Sequence, residues 1–138
     1  DRRIICEKYI DSKTRLPIDY KVHCLNGKPI TIQVCSDRGS GETKFAFCDL
    51  DGKWLPYTND GEQVFDICVK NLKMMKEIAE KIAADFPLVR VDFYIERDTL
   101  KIGELTFVPA GGLLPYLNDF GDKNLGQMLN IKPLMRKR

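Results

Sequence analysis

Along the first half of the chain, apolar and polar side chains alternate in short runs broken by turn residues, the period of half-buried β-strands. The runs are Arg3 to Ile10, Ile18 to Leu25 and Ile30 to Cys35, with Asn26-Gly27-Lys28 between the last two. Asn-Gly is a strong hairpin signal, and a three-residue loop there pairs Val22 with Ile32 and Tyr20 with Val34. Ile18, Tyr20, Val22, Ile30, Ile32 and Val34 then share one face, and Asp19, Lys21, His23, Thr31 and Gln33 the other. A further hairpin runs from Lys44 to Cys48 through Asp51-Gly52 to Trp54. Gly39-Ser40-Gly41 lacks the spacing of a phosphate loop and reads as a hairpin loop.

The period then changes. Over residues 67 to 86 the apolar positions Cys68, Leu72, Met75, Ala79, Ile82 and Phe86 recur every third or fourth residue, which predicts an amphipathic helix ended by Pro87. Asp122 to Asn130 predicts a short helix with Asp122 as its N-cap. Hairpins, a long helix, another hairpin and a short helix describe an α+β fold with a mainly antiparallel sheet. The expected layout is one domain over residues 1–131 and a basic tail over 132–138.

The hairpin Leu88 to Phe107 carries the candidate chemistry. A turn centred on Asp98 sets Asp92 opposite Glu104 and Arg90 opposite Thr106. Alternation agrees, with Val89, Val91, Phe93, Leu105 and Phe107 on one face and Arg90, Asp92, Tyr94, Glu104 and Thr106 on the other. Carboxylates opposed at about 5 Å repel, and a hard divalent cation offsets this economically. Either carboxylate is then removable at little cost to the fold. The alternative is a wet polar face on which Arg90 pairs with a neighbouring acid, and alternation does not decide between them. His23 reads as a sheet-surface histidine.

Composition narrows the function classes. With 138 residues, 43% of them hydrophobic, the chain suffices for one core. A net charge of +2 gives no field that selects nucleic acid or an anionic membrane. The sequence has no run of about 18 apolar residues, so no membrane span is expected. Five cysteines without a CxxC pair and a single histidine do not make a zinc site. Free thiols in strand-like runs point to burial and a reducing cytoplasm. The chain starts at Asp1 without an initiator methionine, and a piece of a longer protein is expected.

Arg90-x-Asp92, a hairpin, Glu104-x-Thr106 and the upstream Glu7-Lys8-Tyr9-Ile10 together resemble ATP-grasp ligases. The stretches Phe86 to Tyr94 and Gly103 to Phe107 resemble the TupA-like ATP-grasp family, associated with bacterial cell-surface polysaccharide and teichuronopeptide assembly. The resemblance implies the C-terminal domain of an ATP- and Mg²⁺-dependent carboxylate–amine ligase of the bacterial cytoplasm, with small-molecule or glycan-linked substrates. It implies that Glu7, the Lys8 carbonyl and the Ile10 amide contact adenine, that Asp19 binds ribose and that Lys21 reaches a phosphate or the sugar. Asp92, Glu104 and Thr106 are the implied metal ligands and Arg90 the implied catalytic cation. Thr106 stands where many ATP-grasp enzymes have asparagine. A glycine-rich flap and its lysine would come from an N-terminal lobe upstream. The rival readings are a glycosyltransferase-type polysaccharide enzyme and a non-catalytic nucleotide-binding module.

Overall fold

The computed structural model describes residues 3–10, 16–38, 43–62 and 67–132. These contain a six-stranded antiparallel sheet of β1 (Asp19–Leu25), β2 (Lys28–Ser36), β3 (Lys44–Cys48), β4 (Trp54–Leu55), β5 (Leu88–Glu96) and β6 (Thr99–Thr106). Across the sheet the order is β4-β3-β2-β1-β5-β6. The helices are α1 (Val69–Ala83) and α2 (Asp119–Met128), with a short 3₁₀ turn at Pro109–Gly112. The fold is α+β, as the sequence pattern predicts.

Two hydrophobic layers follow from the alternation. Leu72, Met75, Ala79 and Ala83 of α1 pack on Tyr20, Val22, Ile32, Val34, Val89, Val91 and Phe93. Removing one such aliphatic or aromatic side chain from water is worth about 1.5–3 kcal/mol, which is why this face of the sheet fixes the register. On the opposite face a smaller cluster of Phe47, Tyr57 and Leu125 seats α2 over the β3–β4 end. The other strands leave their polar side chains on that face.

Both predicted registers hold where they matter, by a route that the pattern did not reveal. Val22 pairs with Ile32 and Tyr20 with Val34, yet the turn is the tight Asn26-Gly27 and the register shifts by one between His23 and Cys24. Asp92 pairs with Glu104 and Arg90 with Thr106, yet the turn is Arg97-Asp98, both residues at positive φ, with a shift between Asp92 and Phe93. Each hairpin is a shorter turn plus a β-bulge that restores the missing residue. The bulge at Ile30 turns that side chain toward the Phe47 cluster, away from the face shared by Tyr20 and Val22.

Other expectations are corrected. Residues 3–10 form no strand and are not part of the six-stranded sheet, and Ile4 and Ile5 are exposed. Cys24, Cys35 and Cys48 are buried, whereas Cys6 and Cys68 are exposed. Helix α1 starts after Cys68 and ends before Phe86, whose ring lies 5.1 Å from that of Phe107. Helix α2 starts earlier than predicted because Asn118, not Asp122, caps it, accepting from the Gly121 amide at 2.8 Å. The Gly39-Ser40-Gly41 loop and the tail beyond Lys132 lie outside the described residues.

Candidate functional site

The polar face of β1, β5 and β6 gathers the charged residues into one cluster, because Lys21 pairs with Asp92 across β1 and β5, and Asp92 pairs with Glu104 across β5 and β6. Arg90 forks onto Asp92, Nε donating to Oδ1 and Nη2 to Oδ2, each at 2.7 Å. Its Nη2 also donates to Thr106 Oγ1 at 3.1 Å and stands 3.8 Å from Glu104 Oε2. Both carboxylates therefore lie on the same side of the sheet and touch the same guanidinium. Lys21 Nζ bridges Asp92 Oδ2 at 2.5 Å and Asp19 Oδ2 at 2.6 Å. Arg38 closes the row, with Nη1 3.5 Å from Asp19 Oδ2 and its guanidinium 5.8 Å from the Tyr94 ring centre.

Here the sequence left two readings open, and this structure offsets the repulsion between Asp92 and Glu104 with the protein's own cations. Asp92 is almost wholly buried, at 1% exposure, so its charge depends on Arg90 and Lys21. Removing one partner of such a buried pair costs about 3–5 kcal/mol. The expectation that Asp92 is removable at little cost to the fold is thus corrected; Glu104, whose side chain is 63% exposed, still fits it. Burial opposes the charge on Lys21, but hydrogen bonds to Asp19 and Asp92 outweigh it and raise the ammonium pKa. Burial likewise opposes the charge on Arg90, and Asp92 again reverses the balance.

Beside this cluster, on the same face, lies a buried polar group centred on His23, which pairs with Arg90 across β1 and β5. His23 is buried, not on the sheet surface, and its Nε2 lies 3.1 Å from Gln33 Oε1, which also accepts from the Tyr116 hydroxyl at 3.3 Å. Burial, helped by the nearby Arg90, pushes the imidazole pKa down to about 4 despite the Gln33 bond, so it is neutral at physiological pH. Tyr116 stacks on Phe45 at 4.5 Å. The link from β6 to α2 therefore crosses the polar face from one sheet edge to β3, about 19 Å at ordinary strand spacing. Alternation places His23 and Gln33 on the face of Lys21 but not their burial; nothing in the pattern marks Arg38 or Tyr116.

The predicted nucleotide residues divide. Asp19 and Lys21 join the cluster, whereas Glu7 and Lys8 are exposed and Ile10 is half-buried on the irregular segment 3–10. Lys8 and Tyr9 line a 220 Å³ cavity with Glu96, Arg97 and Thr99 at the hairpin turn. Glu96 is four strand residues from Asp92, about 13 Å along β5.

The donor set suits a hard cation. Asp92, Glu104 and Thr106 offer oxygen only, the preference of Mg²⁺. Among the described residues no group of three His, Cys, Asp or Glu side chains could hold a metal unaided. A metal ion on this pair would need further oxygens, from phosphate or water, which is how Mg²⁺ is commonly held. Asp19 Oδ1, Gln33 Nε2 and Arg38 Nε are buried without a hydrogen-bond partner, so the site retains unused polar capacity.

A search of curated proteins returns no match. Among solved structures, the ATP-grasp ligase PsnB, complexed with a phosphomimetic variant of minimal precursor, Mg and ADP, is similar at 10% identity and a TM-score of 0.40. The similarity covers 81% of this chain, which spans 33% of that one. The profile of the TupA-like ATPgrasp family matches residues 1–130, nearly the whole sequence, and the chain belongs to that family.

Proposed function

We propose that the chain is the ATP- and Mg²⁺-holding part of an ATP-dependent ligase that phosphorylates a carboxylate and joins it to an amine, in bacterial cell-surface polysaccharide or teichuronopeptide assembly. The observation that carries this reading is the directly paired Asp92 and Glu104 on one face, both in reach of Arg90. Family membership supports it independently.

Asp92 and Glu104 hold the metal with the Thr106 hydroxyl alongside, and Mg²⁺ when bound neutralises phosphate charge. Arg90, fixed in orientation by its fork onto Asp92, presents a cation to the anionic acyl-phosphate or tetrahedral species. Lys21 reaches a phosphate, Asp19 the ribose, and Glu7, Lys8 and Ile10 the adenine edge once a further lobe closes on the sheet. The reaction needs positioning and charge neutralisation but no protein nucleophile. Burial pushes the Cys24 and Cys48 thiols up to about 12, which agrees with their having no such role.

Calorimetric titration of the full chain tests this. Mg·ATP binds, and Glu104→Gln weakens it by about tenfold or more, the usual order for losing a metal-site partner. Binding of a nucleotide sugar in place of ATP would favour the glycosyltransferase reading; equal Mg·ATP affinity in Glu104→Gln would remove the metal assignment.

A further inference from the structure

Asp92 is crowded in a particular way. A carboxylate oxygen has two in-plane lone pairs, and Oδ2 already accepts from Arg90 Nη2 and from Lys21 Nζ. Oδ1 accepts from Arg90 Nε. A metal ion on Asp92 therefore has one free lone pair, on Oδ1, unless a donor leaves. Arg90 is the harder to move, since a planar fork is held at both oxygens and is tied to Thr106 as well. Lys21 is a point charge on a flexible stem, making a single contact with Asp92.

A second place for Lys21 is already built. Its ammonium touches Asp19 Oδ2 at 2.6 Å, and the other oxygen of that buried carboxylate, Oδ1, has no hydrogen-bond partner. From this geometry we infer that Lys21 is a placeholder cation, covering Asp92 Oδ2 until a metal arrives and then leaving Asp92 while Asp19 holds it, a position in which the ammonium keeps donors free for a phosphate. This rests on the reading of Asp92 as a metal ligand. It makes Asp19 and Lys21 a positioning pair that sets how readily the site takes its ion: Lys21 opposes the metal while on Asp92, and Asp19 provides the position it withdraws to.

Electron paramagnetic resonance of free Mn²⁺, titrated with the full chain in the absence of nucleotide, tests the inference apart from turnover. Lys21→Met removes the competing charge and tightens Mn²⁺ by about tenfold or more, the order expected for a like charge on a shared ligand. Lys21→Gln, which keeps a donor for Asp92, shifts affinity the same way should the methionine variant not fold. Lys21→Arg retains the charge and gives no tightening. Asp19→Asn, at a residue that need not touch the metal, weakens binding because Lys21 loses its alternative anchor. Wild-type binding with unchanged or weaker affinity in Lys21→Met and Lys21→Gln overturns the placeholder role alone. No Mn²⁺ binding by the wild type or any variant, either without nucleotide or with a non-hydrolysable ATP analogue present, overturns the metal reading itself, and the placeholder with it.

Discussion

His23→Gln gives a quantitative test of the buried polar group beside the charged row. The imidazole has an ordinary pKa of 6.5 when unfolded and about 4 in the fold, because burial opposes its charged form. A base whose pKa is lowered by folding is protonated first in the unfolded chain, so stability is complete above pH 6.5 and is lost as pH falls toward 4. Each pH unit inside that window costs about 1.4 kcal/mol, and between pH 7 and pH 5 the loss comes to about 2 kcal/mol. His23 is the only histidine in the chain, so that window belongs to one group, above the range where carboxylates dominate. Urea unfolding of the full chain at pH 7, 6 and 5 measures it: the wild type loses about 2 kcal/mol and His23→Gln stays nearly flat. An imidazole resonance titrating near 6.5 in the folded protein, or equal slopes in the two proteins, would refute the reasoning.

Two further perturbations probe what holds the site in place. Met75→Ala empties the centre of the α1 face, where Met75 is fully buried, and costs about 2–5 kcal/mol in equilibrium unfolding; a loss well under 1 kcal/mol would show that α1 is not the main lid of the core. Gly103→Ala puts a methyl group 2.3 Å from Tyr94 Cε2 at the bulge, so the ring must move off, at a cost of about 1–3 kcal/mol; unchanged stability would show that the bulge is not packed as described.

Much of the site was legible because alternation is strict. Once Val89, Val91 and Phe93 belong to the core, Arg90 and Asp92 have to point the other way, and Lys21 follows from Tyr20 and Val22. Asp92 pairs with Glu104 as the pattern predicts, although the turn is one residue shorter than predicted. A tight Arg97-Asp98 turn shortens the hairpin and the extra residue at Gly103 lengthens it again. A glycine inside a strand signals such a bulge, and so Gly103 was the available clue. What was not legible depends on tertiary partners. The segment 3–10 has strand-like side chains yet joins no strand of the sheet, Asn118 caps α2 from a position ahead of the predicted start, and Arg38 and Tyr116 reach the site from loops. The lysine bridge between Asp19 and Asp92 needs side-chain geometry that no period encodes.

The most direct measurement is a crystal of the full chain grown with Mn²⁺ and a non-hydrolysable ATP analogue, examined for anomalous scattering. One or more peaks are expected about 2.0–2.3 Å from carboxylate oxygens of Asp92 and Glu104, shared with the analogue's phosphates. Nucleotide bound elsewhere, with Arg90 and Lys21 still closed over Asp92 and no metal between the two carboxylates, would contradict the metal assignment.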